Sequence, residues 1–385
     1  MLTTKTPTSI FDLRRHPCGL RVWLLLSMLV IGAWLSSSFD KSRIQAADDS
    51  PRVDPPPLEV KAAFLKQLDR PRVPLDPQVA SVKPAGEGLV EERFSLATER
   101  KANGDMERVP LLLVRPEDSS VRRAVVIVLH GTGGNKDGQK RWLIDVARRG
   151  MIGVAIDARY HGERSGGAAG AEAYVAAITR AWRAKPSEPQ EHPFYFDTCW
   201  DLWRVLDYLV ERPDVDPKRV AMLGFSMGGI QTWLAAAVDE RVRVAIPAIA
   251  VQSFRWSLEH EAWQGRAKTI SAPHRAAAED LGQPEVNATV CRALWNKVIP
   301  GMLDQFDCPS MLRLFAERPL LIVSGERDPN CPLGGAQLAF AAAEKAYAAA
   351  DARDKLKIDV APGVAHQVTK DQETLILEWL DRWLK

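Results

Sequence analysis

The sequence has little net charge. Its 51 lysine and arginine residues nearly balance 49 aspartate and glutamate residues, leaving a formal charge of +2 at pH 7. No lysine- and arginine-rich stretch stands out, which argues against a nucleic-acid partner. Cysteine is scarce, with five among 385 residues, and no Cys-x-x-Cys pair suggests a zinc or redox site. Hydrophobic residues make up 46% of the chain, enough for a sizeable globular core.

A long hydrophobic run is also missing. The apolar stretch 22–35, which follows Arg14, Arg15 and Arg21, has about fourteen residues, whereas a membrane-spanning helix needs roughly twenty. A basic segment before a short apolar one is typical of a signal peptide, and small residues at 36–38 or 46–47 could hold the cleavage site. An uncleaved membrane anchor is the alternative. Residues 1–47 therefore predict an exported protein, periplasmic or secreted, or one anchored to the membrane.

Export would place the remaining cysteines in an oxidising compartment. Four of them follow residue 47: Cys199, Cys291, Cys308 and Cys331. They could form up to two disulfides, and Cys291 and Cys308 are close enough in sequence to close a short loop. Ordinary buried thiols are an equally good interpretation.

The rest of the chain reads as one linker region and one domain. Residues 48–88 are predicted to be a Pro-rich linker and N-terminal extension that holds a helix at 58–69. From residue 89 to 385, short apolar runs alternate with helical patterns, which indicates a mostly parallel sheet covered by helices. The predicted strands are 89–97, 108–114, 124–129, 151–156, 220–223, 242–246, 319–323 and 356–360. The stretch 254–317 has helical pieces and no strand pattern, and it is too long for a connecting loop, so it predicts a helical cap.

The segment VAMLGFSMGG contains a G-x-S-x-G motif made by Gly224, Ser226 and Gly228. It follows a short apolar strand and precedes a helix, which is where a nucleophilic serine sits when it is raised on a sharp turn. Glycine on either side lets strand and helix approach closely, and the helix N-terminus favours negative charge. The sequence therefore predicts Ser226 as a nucleophile. The alternative is a serine that only caps the helix.

A nucleophilic serine needs a base and a carboxylate that orients it. His366 lies in a loop after the last predicted strand, and Asp328 ends the strand segment PLLIVSGERD. Both follow the carboxyl ends of strands, where catalytic groups gather in such folds. The order Ser, Asp, His is that of hydrolases with the raised serine. Glu326 is the rival carboxylate, and a solvated histidine or a turn-forming aspartate is the alternative without function.

The loop in VVIVLHGTGGNKDG, residues 125–138, could hold a phosphate or an oxyanion. The phosphate interpretation lacks its decisive residues, because Gln139 stands where the P-loop lysine must be and Lys136 replaces the third glycine of the dinucleotide fingerprint. An oxyanion hole needs one backbone N–H from such a loop and another from the residue after the nucleophile. Thr132 and Met227 are predicted to provide them.

The segments LHGTGG, DARYHGERSGG, GFSMGG and GERD, together with His366, resemble α/β-hydrolases of the branch that holds dienelactone hydrolases, prolyl-oligopeptidase-like proteins and acetyl xylan esterases. The resemblance spans residues 108–385. It implies an α/β-hydrolase fold, a small-molecule carboxylic ester as the substrate, and no metal or cofactor. A serine peptidase remains possible, although no propeller domain precedes the hydrolase region. A catalytically silent binding protein is the third interpretation.

The resemblance also suggests weaker substrate contacts. In DARYHGERSGG, Arg159 and His161 would lie near the rim of the pocket, although a hydrogen-bonded loop that supports the serine turn is the better-supported alternative. Trp256 and Trp263 in the cap could stack on a sugar or an acyl group, or they could be part of the cap's own core.

Overall fold

The computed structural model describes residues 55–385. The signal peptide or anchor predicted at 1–47, with its apolar stretch 22–35, lies outside these residues. Within them, nine strands form one sheet: β1 Gln78–Gly86, β2 Leu89–Arg100, β3 Met106–Pro116, β4 Arg123–Leu129, β5 Ile152–Ile156, β6 Val215–Phe225, β7 Val244–Ala248, β8 Leu320–Gly325 and β9 Leu356–Ala361. None of the helices in this part of the chain combines the length and apolar character needed to cross a bilayer.

Helices precede, connect and follow the strands. They are α1 Pro57–Leu68, α2 Lys140–Ala147, α3 Glu172–Arg183, α4 Phe196–Glu211, α5 Met227–Val238, α6 Phe254–Glu259, α7 Gln264–Thr269, α8 Ser271–Asp280, α9 Ala288–Val298, α10 Cys308–Leu312, α11 Leu333–Ala349 and α12 Lys370–Leu384. Helices α6 to α10 fill the insertion 254–317, which is called the cap below. The cap contains no strand, as its sequence pattern predicts.

The strands lie in the order β1-β2-β3-β5-β4-β6-β7-β8-β9. The first three strands and the β3–β5 pair are antiparallel, and all pairs from β5 to β9 are parallel. The chain leaves β4 toward β5 on one side and returns to β6 on the other. Ligands bind at such a switch point, beyond the carboxyl ends of the strands. The loops after β4 and β6 meet there.

The central strands are buried on both faces. In β4, Val125, Ile127 and Leu129 pack into one apolar layer, and the alternate residues pack into the other. Helices α2 and α12 cover one face, whereas α1, α4, α5 and α11 cover the opposite one. The unbroken apolar run 124–129 follows from this double burial, because neither face of the strand meets water. The predicted fold class, a mostly parallel sheet between helices with a cap, is confirmed.

The N-terminal extension needs a correction. The sequence predicts a linker and an extension with one helix over 48–88. In the structure, residues 78–86 instead form the edge strand β1, which pairs antiparallel with β2. Seven of its nine residues are exposed, and Val79 is 67% exposed. An edge strand with two wet faces carries no alternating apolar pattern, so the pattern that predicts strands elsewhere is missing here. The predicted helix is present as α1.

The four cysteines after residue 47 are free, and all four thiols are buried. Of the two interpretations left open by the sequence, the structure contains ordinary buried thiols. Cys291 and Cys308 lie on separate cap helices, α9 and α10.

Candidate active site

Ser226 occupies a sharp turn between β6 and α5. Its backbone has φ +52° and ψ −113°, a strained conformation for a residue with a side chain. A Cβ atom on Gly224 would lie 2.1 Å from the Gly228 carbonyl oxygen, and one on Gly228 would lie 2.6 Å from the Leu129 carbonyl oxygen. Only glycine at these two positions lets α5 begin so close to β4 and β6. The G-x-S-x-G spacing follows from that packing.

Ser226, His366 and Asp328 form a continuous chain of hydrogen bonds. Ser226 Oγ lies 2.7 Å from His366 Nε2, and His366 Nδ1 lies 2.7 Å from Asp328 Oδ2. An ionised carboxylate can only accept, so His366 carries its proton on Nδ1 and its Nε2 accepts from the serine hydroxyl. The Asp328 side chain is 1% exposed and that of His366 is 22% exposed. The structure thus brings together the three residues predicted as nucleophile, base and orienting carboxylate.

Glu326, the rival carboxylate, has a different partner. It is exposed, and it accepts a hydrogen bond from the Gly363 N–H at 2.7 Å. A Cβ on Gly325 would lie 2.2 Å from the carbonyl oxygen just before His366, so the ends of β8 and β9 are in close contact. Glu326 fixes the loop that carries His366, while Asp328 contacts the ring itself.

The two predicted oxyanion donors lie on segments that adjoin Ser226. A Cβ on Gly131 would lie 3.6 Å from Ser226 Cβ, and the next residue, Thr132, is half-buried in a turn. Met227 is the first residue of α5, where helix N–H groups have no partner within the helix. For residues 55–385, neither the Thr132 nor the Met227 N–H has an acceptor. Such unused donors are what a developing oxyanion requires.

His130 holds the turn that contains Thr132, a role that sequence analysis missed. Its Nε2 accepts from the Ala158 N–H at 3.2 Å, so its Nδ1 carries the proton and donates to the Gly131 carbonyl oxygen at 2.8 Å. Burial lowers the pKa of His130, which keeps the ring neutral. The only sequence signal was its place directly before the Gly131-Thr132 pair.

Part of the chain matches a family model described as the alpha/beta hydrolase fold, over residues 124–269. This stretch includes the loop after β4, Ser226 and the start of the cap. The Bacillus subtilis protein YtaP is 27% identical over 158 residues, a match that covers 36% of this chain and 48% of YtaP. The chain therefore spans about half the length of that relative. The chain has the α/β-hydrolase fold.

Solved structures share the architecture over most of this chain. Acetyl xylan esterase 1 from Thermoanaerobacterium sp. JW/SL YS485 has a TM-score of 0.61 at 17% identity, covering 86% of this chain and 94% of its own. A glucuronoyl esterase from Solibacter usitatus has a TM-score of 0.58 at 17% identity, covering 84% and 91%. At such identities the likeness establishes the fold.

The predicted substrate contact is wrong for Arg159 and His161. Arg159 is 3% exposed, and its guanidinium binds Asp201 at 2.8 Å and Glu99 at 3.0 Å. His161 is fully buried, and it donates from Nδ1 to the Arg159 carbonyl oxygen at 2.9 Å. The loop after β5 supports the site from within, as the alternative interpretation has it. The carboxylates that pair with this loop lie far from it along the chain, so a single sequence does not reveal them.

The two cap tryptophans predicted to contact the substrate, Trp256 and Trp263, differ in exposure. Trp263 is 8% exposed and donates from Nε1 to Glu261 at 2.9 Å, which favours the interpretation that it is part of the cap's own core. Trp256 is half-buried, with its ring stacked 4.2 Å from the centroid of His260. A substrate contact through Trp256 stays a prediction.

One group of side chains in the described range has the spacing of a metal site: Asp328, Cys331 and His366, whose donor atoms lie within 4.8 Å of one another. These donors already have partners. The Cys331 thiol donates to the Ile249 carbonyl oxygen at 3.4 Å, and burial raises its pKa to about 12, so it stays protonated. The Asp328 and His366 atoms are engaged with each other and with Ser226. Ser226, His366 and Asp328 are called the triad below. Their arrangement suits proton transfer along the triad better than metal binding.

Proposed function

We propose that this α/β-hydrolase cleaves carboxylic esters, with Ser226 as its nucleophile. The observation that carries the proposal is the pair of 2.7 Å contacts joining Ser226, His366 and Asp328 beside two unused backbone N–H groups. Together these groups supply a nucleophile, a base, an orienting carboxylate and oxyanion donors. The solved structures that share the fold are named as esterases of acetyl xylan and of glucuronoyl groups, which supports an ester as the substrate.

In the first half-reaction, Ser226 Oγ bonds to the ester carbonyl carbon while His366 Nε2 takes the serine proton. The carbonyl π electrons move to its oxygen, which accepts hydrogen bonds from the Thr132 and Met227 N–H groups. The C–O bond to the alcohol then breaks, and the alcohol leaves with the proton from His366. Asp328 holds the Nδ1–H in place and stabilises the imidazolium.

In the second half-reaction, a water molecule attacks the acyl group on Ser226. His366 takes a proton from that water and returns it to Ser226 Oγ as the acyl–oxygen bond breaks. The products are the carboxylic acid and the free enzyme, so atoms and charge balance without a cofactor.

The direct test is a panel of acetyl, butyryl, longer-chain and sugar esters, each with a matched amide. Ser226→Ala should lower the ester turnover number by about 10⁶. Ser120→Ala, an exposed serine before β4, is the matched control and should keep the wild-type rate. Equal turnover by the Ser226→Ala variant would contradict the proposal. Turnover of amides without esters would favour the peptidase interpretation.

We also propose that the enzyme is exported, on the strength of the sequence pattern in residues 1–47. N-terminal sequencing of protein from the exported fraction should find a start after residue 38 or after 46–47, or at residue 1 if the segment serves as an anchor. Full-length chain confined to the cytoplasm would contradict export.

A further inference from the structure

Helix α7 of the cap lies directly on the loop that carries Asp328. This loop, residues 328–331, is called the acid loop below. A Cβ on Gly265 would lie only 1.9 Å from the Pro329 carbonyl oxygen, so the helix can approach the acid loop only because residue 265 is glycine. The next residue, Arg266, is 1% exposed and projects its guanidinium against the same loop.

The contacts of Arg266 are unusual for a buried cation. Its Nη2 donates to the Asn330 carbonyl oxygen at 3.0 Å and lies 3.3 Å from Cys331 Sγ, while Nη1 lies 3.5 Å from Tyr195 Oη. None of these partners is a carboxylate, and within residues 55–385 the Arg266 Nε has no acceptor. The guanidinium also lies 5.7 Å from the Phe254 ring centroid, but no carboxylate pairs with it, and burying a charge without such a partner costs stability. That cost points to a role other than stabilising the fold.

The two residues that Arg266 holds are the ones that fix Asp328. The Asn330 and Cys331 N–H groups donate to Asp328 Oδ1 at 2.8 Å and 3.1 Å. With Oδ1 held by the backbone, Oδ2 is left to accept from His366 Nδ1 at 2.7 Å. The path from Arg266 to His366 therefore passes through a single turn of the acid loop.

We infer that Arg266 is a positioning residue, which the cap supplies to keep the acid loop in the shape that directs Asp328 Oδ2 at His366. The inference rests on the proposed function, because Asp328 acts on the substrate only through His366 and Ser226. It makes the cap part of the triad's support. A displacement of about 1 Å in such a support can cost about a hundredfold in rate.

The test compares Arg266→Met and Arg266→Lys with Arg318→Lys. Arg318 is a matched control, since it is 8% exposed and donates to the carbonyl oxygens of Ala236 and Val242 near the amino end of β8, away from the triad. We expect Arg266→Met to lower kcat and the rate of fluorophosphonate labelling by about 10- to 100-fold with KM little changed. Arg266→Lys should recover part of the loss, because an ammonium can still donate to the Asn330 oxygen. Arg318→Lys should lower the thermal midpoint only.

A folded Arg266→Met protein with wild-type kcat would overturn the inference, and so would wild-type kcat in Arg266→Lys if the Met variant does not fold. A second readout is independent of activity. The proton on His366 Nδ1, shared with Asp328, should give a far-downfield NMR signal in the wild type and in Arg318→Lys, and this signal should shift or vanish in both Arg266 variants. An unchanged signal would contradict the role of Arg266. Absence of a fluorophosphonate label on Ser226 in the folded wild-type protein would instead contradict the proposed function.

Discussion

Two groups of polar side chains, the triad and a network around the loop after β5, use their hydrogen bonds differently. The triad is an open chain, whose last member, Ser226, is partly exposed and has a hydroxyl free to react. The second group, called the ionic cluster here, is a network of mostly buried charges that are all paired: Glu99, Glu107, Arg159, Arg164 and Asp201. At its edge Glu99 also pairs with Arg70, and Glu107 with Lys101. Arg159 and Arg164 of the cluster, like Ser226 and Asp328 of the triad, come from segments that resemble hydrolase motifs. Burial and complete pairing separate structural support from chemistry.

Asp201 shows how completely the charges of the ionic cluster are paired. Its two carboxylate oxygens accept from Arg159, from Arg164 at 2.9 Å and from the Thr98 hydroxyl at 2.7 Å. Burial opposes its ionisation, but the two guanidinium groups outweigh that effect and hold the pKa of Asp201 below its usual range. No oxygen is left for a substrate. The cluster fixes the loop after β5 against α4 and the ends of β2 and β3.

The largest expected effect comes from breaking the triad at its carboxylate. Asp328→Asn should lower kcat for esters by about 10⁴, because an amide no longer selects the Nδ1–H form of His366. The thermal midpoint should change little, since the amide has nearly the same shape. Steady-state kinetics with parallel thermal unfolding would check both. A variant that retained most of the wild-type rate would remove Asp328 from the mechanism.

Breaking the ionic cluster should lower the stability of the fold and leave kcat nearly unchanged, the reverse of the effect of Asp328→Asn. Asp201→Asn leaves two buried guanidinium groups short of an acceptor, which we expect to cost about 3–5 kcal/mol in the free energy of unfolding. The fraction that stays folded should keep a near-normal kcat. Urea unfolding against Asp118→Asn, an exposed aspartate, supplies the control. If Asp201→Asn abolished turnover at unchanged stability, the distinction between the two groups would fail.

The oxyanion donors provide a third, smaller effect. Thr132→Pro removes a single N–H, and kcat should fall by about 10²–10³. Thr132→Ala keeps that N–H and should retain far more of the rate. Circular dichroism would show whether each variant is folded. Equal rates in the two variants would place the oxyanion elsewhere.

The smallest expected effect is the pH dependence of the free energy of unfolding, which buried histidines should change and the ionic cluster should not. Burial lowers the pKa of His161 and of His274 to about 4. Below about pH 6.5 the unfolded chain binds protons that these folded rings do not, so their stabilisation is present near pH 7 and is lost as the pH falls toward 4. Burial raises the pKa of Asp307 to about 6, which opposes this trend over the same pH range.

We therefore expect the free energy of unfolding to fall between pH 7 and pH 5, by about 2 kcal/mol per buried histidine before the opposing effect of Asp307. His274→Gln should flatten this dependence, whereas Asp201→Asn should leave its slope unchanged. Urea titrations at several pH values would measure both slopes. A steeper loss in the Asp201→Asn protein would mean that the cluster titrates in this range.

Local patterns in the sequence predicted most of the fold. Strands buried on both faces, such as β4, appear as short apolar runs, and the turn at Ser226 has a fixed glycine spacing. Strand β1 was missed because its exposure removes any apolar pattern. For the site, Ser226, Asp328 and His366 could be named because each follows a strand. The partners of Arg159 and the contact of Arg266 with the acid loop depend on residues far apart in sequence, so no local pattern reveals them.

We expect the open hydrogen-bond chain of the triad, and not the fully paired ionic cluster, to perform the chemistry. The most direct test is to treat the folded wild-type protein with a fluorophosphonate and to map the adduct by mass spectrometry. We expect one adduct, on Ser226, formed at a rate that Asp328→Asn strongly reduces and Asp201→Asn hardly changes. An adduct on another residue, or none on Ser226 in folded protein, would contradict this expectation.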